Sequence, residues 1–181
     1  IDGSNDDYAG WSVDINDDGD RIIIGMPETY PHSQANASGK AEVYQYNTGT
    51  HTWDQLGSNL RPAGNGTSNT DNWEAGFDVS MNGSGDRVAV ASPNGLPASI
   101  AAAGVDNTAG AVTIYDWSGS AWVKSEVIEP TGALMQNGKY FGHSIALNSS
   151  GDRIVIGTPQ SSNQETDNTN IDRGLAQVYS I

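Results

Sequence analysis

Residues 10–27 read GWSVDINDDGDRIIIGMP, and the pattern returns as GFDVSMNGSGDRVAVASP at 76–93 and GHSIALNSSGDRIVIGTP at 142–159. Gly10, Gly76 and Gly142 are spaced 66 residues apart, as are Pro27, Pro93 and Pro159. A fixed period of this length marks an array of repeated structural units. The chain therefore reads as one domain, 1–181, built from units at about 8–73, 74–139 and 140–181.

Each unit opens on a two-residue alternation. Trp11, Val13 and Ile15 are separated by Ser12 and Asp14, and the same positions hold Phe77, Val79 and Met81, then His143, Ile145 and Leu147. That pattern predicts a half-buried strand. Asn16 to Asp20 supplies tight-turn chemistry, with Gly19 free to take a positive φ. The runs Ile22-Ile23-Ile24, Val88-Ala89-Val90 and Ile154-Val155-Ile156 are continuous, which predicts second strands covered on both faces, each closed by the following Pro.

A polar segment of variable length leads to a third strand at Ala41–Tyr44, Val112–Tyr115 and Ala176–Tyr179. A short turn then leads to a fourth, marked by Trp53 and Trp122 and running to Leu60 and Ile128. The third unit reaches Ile181 without one. The expected fold class is all-β: β-propeller blades, three tandem four-stranded antiparallel units with the third lacking its last strand. A β-solenoid is the alternative, and it would use shorter turns of chain.

Closed propellers have about four to eight blades. Three units imply either part of a larger propeller or self-association, two chains giving six blades. The open edge at Ala176–Ser180 offers a template for strand addition, and a head-to-tail contact that fails to close would make a fibre.

The succession of Phe141-Gly142, or its variants Ala9-Gly10 and Ala75-Gly76, an Asn/Asp/Gly-rich turn, an apolar run and Gly-x-Pro resembles the FG-GAP repeats of integrin α-subunit propellers and their microbial relatives. The likeness spans essentially the whole chain. Gly25-Met26-Pro27, Ala91-Ser92-Pro93 and Gly157-Thr158-Pro159 approximate the Gly-Ala-Pro element, as a divergent branch would. The resemblance implies a propeller scaffold with protein or glycan ligands on the face that gathers the long loops.

Composition narrows the partners. With 22 acidic against 8 basic residues and a formal net charge of −14, the summed field repels phosphate backbones and anionic lipid, which excludes nucleic acid and direct membrane insertion as expectations. No run approaches the roughly 18 apolar residues of a membrane span. Cysteine is absent, so disulfides, thiolate metal sites and cysteine nucleophiles are all excluded. The Asn, Asp, Ser, Thr and Gly richness and scarcity of Lys point to an extracellular protein on a cell or virion surface.

The sharpest candidate site is a calcium loop at Asp14, Asn16, Asp18 and Asp20, whose alternating oxygens and Gly19 turn match calcium-loop chemistry. Its equivalents are Ser80, Asn82 and Ser84, then Ala146, Asn148 and Ser150, and Ile22 takes the closing carboxylate position. A solvated hairpin turn is therefore the favoured reading, and no cofactor is expected. Asp20-Arg21, Asp86-Arg87 and Asp152-Arg153 recur in every unit, as a structural turn or an inter-blade ion pair would. His32 and His51 are isolated, and His143 is read as a packed core histidine. Trp11, Trp53 and Trp122 are assigned to the core.

In an up-and-down blade the long connections (28–38, 62–74, 94–109, 130–139 and 160–173) all fall at one end. Binding on a rigid scaffold is expected there, with Tyr30, His32, Trp73 and Tyr140 as candidate ligand-binding residues whose rings stack on a sugar or an apolar partner. The expected function is a non-enzymatic extracellular adhesion or recognition module. A filament or virion-surface subunit joined through the open edge is one alternative, and a propeller-based polysaccharide-active enzyme is another.

Overall fold

The computed structural model describes residues 1, 7–27, 39–61, 74–95, 109–131, 140–159 and 174–181. These form three antiparallel sheets, each meandering in sequence order. The first holds β1 (Ser12–Ile15), β2 (Arg21–Met26), β3 (Lys40–Asn47) and β4 (Thr52–Gln55). The second holds β5 (Val79–Met81), β6 (Arg87–Ser92), β7 (Ala111–Trp117) and β8 (Trp122–Ile128). The third holds β9 (Ser144–Leu147), β10 (Arg153–Thr158) and β11 (Leu175–Ser180). Among the described residues there is no helix, and none long and apolar enough to cross a membrane.

The sheets converge on β1, β5 and β9. Period-two registers such as Val13↔Ile24 and Val79↔Val90 assign each side chain to one of two faces. We term the face towards the preceding sheet leading and the other trailing. The core lies between sheets. One cluster joins the trailing Ile23, Ala41 and Val43 to the leading Val79, Met81, Val88, Val90 and Tyr115. The second joins the trailing Ala89, Ala91, Val112 and Ile114 to Ile145, Ile154 and Ile156, with Phe141 fully buried among them.

Only the middle sheet has a covered neighbour on each side, and this corrects two expectations. β6 is buried throughout after Arg87, whereas the equally apolar β10 alternates between buried and open positions. Trp11, Val13 and Ile15 are 52%, 64% and 53% exposed, although their equivalents Val79 and Met81 are core. They occupy the β1 edge of the leading face of the first sheet, against which none of the described sheets packs, whereas Ile24, Met26 and Glu42 farther out on that face are buried. Trp53 is half-buried beside Tyr46, with ring centroids 5.4 Å apart. Trp122 is half-buried against the first cluster.

The fourth strand of the first unit is also shorter than expected. β4 stops at Gln55; the Leu56 N–H still donates to the Val43 carbonyl at 2.7 Å, and pairing then resumes where Leu60 and Ala41 exchange N–H···O bonds of 2.8 and 2.9 Å. The detour is made by the neighbouring sheet. Trp122 Nε1 donates to the Leu56 carbonyl at 2.9 Å, and its ring lies against Gly57.

Side-chain oxygens on each trailing face bond the backbone of the next sheet. Ser12 Oγ accepts the Val79 N–H at 3.1 Å, and Asp14 Oδ2 accepts the Met81 N–H at 2.7 Å. One repeat on, Asp78 Oδ2 accepts the Ile145 N–H at 2.7 Å and Ser80 Oγ that of Leu147 at 3.0 Å. The turns join too: the Asp17 N–H donates to the Gly83 carbonyl at 3.0 Å, and the Gly83 N–H to that of Ser149 at 2.9 Å.

The recurrent Asp-Arg pairs belong to the same scheme. Arg21 Nη1 donates to the Gly85 carbonyl at 3.0 Å and Arg87 Nη1 to that of Gly151 at 2.9 Å. The adjacent aspartates instead take the amide of the turn asparagine, Asn16 to Asp20, Asn82 to Asp86 and Asn148 to Asp152, at 2.7–2.8 Å. The inter-blade partner of Arg21 and of Arg87 is thus a carbonyl oxygen, since the neighbouring carboxylate is held within its own turn.

A pair of glycines separates backbone strain from crowding. Gly10 and Gly76 have φ of +90° and +83°, yet a Cβ on Gly10 meets nothing within 4 Å, while one on Gly76 lies 2.2 Å from the Lys40 oxygen. Gly10→Ala should cost the left-handed conformation alone, about 1–2 kcal/mol. Gly76→Ala should add overpacking of roughly 1–3 kcal/mol, so its urea midpoint should fall clearly further; equal midpoints would show that the sheets are not in this contact.

Candidate functional site

The acidic turn at 14–20 is closed upon itself and upon its neighbour. Asp14 Oδ1 accepts the Ile15 N–H at 2.8 Å, while Oδ2 takes Met81 N–H and Ser80 O–H at 2.7 and 3.1 Å. Asn16 Oδ1 accepts the N–H groups of Asp20 and Arg21 at 3.0 and 2.9 Å. Both residues are thereby turned away from a shared centre. Among the described residues no group of three or more His, Asp or Glu side chains converges as metal ligands do, so Asp14, Asp18 and Asp20 are not brought together. This donor set does not fit a calcium ion in the conformation observed.

The opposite end of the sheets is different. It is where β1, β3, β5, β7, β9 and β11 begin and β2, β4, β6, β8 and β10 finish, so every long connection leaves from it. Tyr30, His32 and Trp73 lie in those connections, outside the described residues. Tyr140 is described and half-buried. It adopts φ +56°, as Tyr8 does at +54° and Glu74 at +51°. The three are equivalent: Tyr8, Glu74 and Tyr140 each accept through their carbonyl the N–H three residues on, at 3.0–3.1 Å. The turn lifts the residue that leads into the innermost strand, Trp11, Phe77 or His143, into position.

The residues that lead into these strands form an aromatic row. Trp11 packs on Phe77 with ring centroids 5.6 Å apart, and Phe77 on His143 at 5.0 Å. Tyr8 extends it, edge-on to Trp11 at 6.3 Å. Tyr8 and Trp11 are 45% and 52% exposed, His143 is exposed, and Phe77 is half-buried between its neighbours. His143 is therefore a surface residue stacked at the axis, contrary to its reading as core: β9 is an innermost strand, and the residue just before it overhangs the packed interface. The row combines apolar ring faces with the indole N–H, phenol and imidazole, a set that suits stacking and hydrogen bonding together.

Solved propeller structures are similar to this chain in fold. The complex of KlAtg21 with the coiled coil of AgAtg16 matches with a TM-score of 0.51 and 8% identity, covering 82% of this chain and 37% of that one. The periplasmic gluconolactonase PpgL of Pseudomonas aeruginosa matches at 0.50 with 12% identity, covering 88% and 38%. The likeness is one of fold. This chain spans under two fifths of the length of either. No protein-family model and no curated protein sequence matches it. Together with the sheet topology, the structural neighbours show propeller-like blades.

The titratable groups elsewhere are held by structure. Hydrogen bonds from Ser84 and Asn82 lower the Asp86 carboxyl, and the Arg87 guanidinium, 2.6 Å away at Nε, lowers that of Asp116. Burial, then the hydrogen bond to Glu42 at 2.6 Å, pushes the Tyr44 hydroxyl to about 12. Burial alone takes Tyr115 to about 12, where it donates to the Arg61 carbonyl. Neither phenol is poised to act as a base near neutrality.

Two predictions follow from these bonds. Asp78→Ala deprives Ile145 N–H and Ser12 O–H of their acceptor and should cost about 1–3 kcal/mol, whereas the melting temperature should be the same with calcium or chelator; a calcium-dependent shift abolished by Asp14→Ala would refute the hydrogen-bonded turn. For pH, carboxyls lowered in the folded state stabilise it above their unfolded value, 3.8, and that stability is lost as pH falls through the folded value. Stability should therefore drop with acid below about pH 4, more shallowly in an Asp86→Asn, Asp116→Asn double variant; identical slopes would show that neither carboxyl contributes.

Proposed function

We propose that this chain is a non-catalytic, extracellular recognition module of FG-GAP-like propeller type, which holds a glycan or protein ligand at the end from which its long connections leave. The observation that carries this reading is the aromatic row of Tyr8, Trp11, Phe77 and His143, which lies at that end beside Tyr140. Rigid rings on innermost strands offer a stacking platform at low entropic cost, and the flanking connections Tyr30, His32 and Trp73 belong to supply side groups that tell ligands apart. Sugar C–H faces suit such a platform. The charge of −14 favours neutral over anionic glycans.

Five of the described carboxylates have structural partners, which supports the non-catalytic reading. Asp14 and Asp78 bind backbone N–H groups of the next sheet, and Asp20, Asp86 and Asp152 close their turns. Polysaccharide turnover by the purified chain would overturn the non-catalytic reading.

Binding should be measured against an array of neutral and acidic oligosaccharides and, for hits, by titration calorimetry. Trp11→Ala should weaken binding at least tenfold, about 1.4 kcal/mol, with Tyr140→Ala and Trp73→Ala also weakening it, while Val123→Ala, on an outermost strand, leaves it unchanged. Binding indifferent to Trp11 and Tyr140 would remove the aromatic row from the site.

A further inference from the structure

A charged cluster enclosed on the first sheet stands apart from the pattern of the blades. Lys40 and Glu42 project from one face of β3, opposite Met26 and Ile24 in register, and Asp7 reaches them from the segment that precedes β1. Lys40 Nζ lies 3.1 Å from Glu42 Oε1 and 3.8 Å from Asp7 Oδ2. The Asp7, Glu42 and Lys40 side chains are only 3%, 11% and 15% exposed, with Met26 and Ile24 buried beside them, so little water reaches the group. The other carboxyl oxygens are fixed as well. Asp7 Oδ1 accepts the Ala9 N–H at 3.1 Å, and Glu42 Oε2 accepts the Tyr44 hydroxyl at 2.6 Å.

The repeat does not require this cluster. Counting from Gly39, Gly110 and Gly174, which lead into the third strands, Lys40 gives way to Ala111 and Leu175, and Glu42 to Thr113 and Gln177. Asp7 gives way to Trp73 and Lys139 one and two periods on. Three departures from the repeat thus meet at one enclosed point, whereas the ion pairs of Arg87 with Asp116 and of Arg153 with Asp152 are far more open to solvent.

We propose that Lys40 and Asp7 condense into an intramolecular amide, with Glu42 as the proton carrier. The Lys40 nitrogen, relieved of a proton by Glu42, attacks Asp7 Cγ. The Nζ–Cγ bond forms, the Cγ–Oδ2 bond breaks, and Oδ2 departs as water. Starting from the ion pair, two ammonium protons end on the departing oxygen and one stays on the amide nitrogen, so the step balances without a further reagent. Oδ1 becomes the amide oxygen, and the Ala9 N–H already bonded to it stabilises the charge it gathers in the tetrahedral intermediate. Holding amine and carboxyl in one enclosure makes the step unimolecular. Exclusion of water favours the product, because an enclosed ion pair bears a desolvation penalty on both charges and an amide carries neither. The link closes a covalent loop around β1 and β2 and fastens the entrance of β1 to β3.

Intact-mass spectrometry of the purified full chain under denaturing conditions tests this directly. The chain should weigh one water less than its sequence requires, and trypsin should leave Lys40 uncut, with residues 1–21 joined to the peptide that contains it. Asp7→Ala and Lys40→Arg should each restore the full mass of their own sequence. Glu42→Gln, which still offers Tyr44 an acceptor, should leave the chain unlinked with an unchanged circular dichroism spectrum. The mass of the unsubstituted chain decides the question whether or not a variant folds. Full sequence mass there overturns the inference, as does a water loss that survives Asp7→Ala, which would mark ring closure at Asp18-Gly19 instead. Linkage undiminished in Glu42→Gln would remove Glu42 from the step.

Discussion

The structure depends on a side-chain oxygen of one sheet accepting a backbone N–H of the next. Where β1, β5 and β9 converge, the innermost strand of each sheet pairs on one side only, and its remaining N–H groups face the neighbouring blade. Buried without partners they would cost about 1–3 kcal/mol each. Ser12, Asp14, Asp78 and Ser80 provide those partners. Apolar burial contributes more free energy but is indifferent to register. The directional bonds fix the spacing and slide of one sheet on the next, and the clusters around Val90 and Phe141 fill the space so defined.

This assignment gives two of the aspartates a structural role. Aspartate is short enough to reach a backbone N–H across a tight interface and, ionised, binds it more strongly than a hydroxyl does. Asp14 and Asp78 are engaged in this way, while Asp20, Asp86 and Asp152 close their own turns. The end that carries the aromatic row is built differently, from ring faces on innermost strands. The two ends of the blades are thus chemically distinct: hydrogen-bonded hairpins at one, exposed aromatics and long connections at the other.

The strands and turns were legible in the sequence because they rest on local rules. Alternation over two residues marked β1, β5 and β9, and Asn-x-x-Gly-Asp-Arg marked turns whose asparagine indeed binds its own backbone. Burial was not legible in the same way. The apolar pattern of Trp11, Val13 and Ile15 matches that of Phe77, Val79 and Met81, but exposure is decided by whether another sheet lies alongside, which no local pattern records. The oxygens of Asp14 and Asn16, spaced as in a calcium loop, are drawn into hydrogen bonds of the turn and the next sheet, because spacing along a chain does not tell which N–H groups lie within reach. The aromatic row could have been found. An aromatic ring occupies positions 11, 77 and 143, the same place in every repeat, and a position leading into an innermost strand lies at the axis, outside any core between sheets.

The hairpin tips carry one more consequence. Across Gly83 the side chains of Asp17 and Ser149 meet directly, the hydroxyl donating at 2.7 Å between residues 132 apart in sequence. In a stacked array, each unit ordinarily contacts only its immediate neighbours, so the ends are free to fray independently. A bond that skips the middle unit links the order of the first sheet to that of the third. Loosening either end then removes a partner from the other, and the three units share one cooperative transition more fully than a chain of pairwise contacts would.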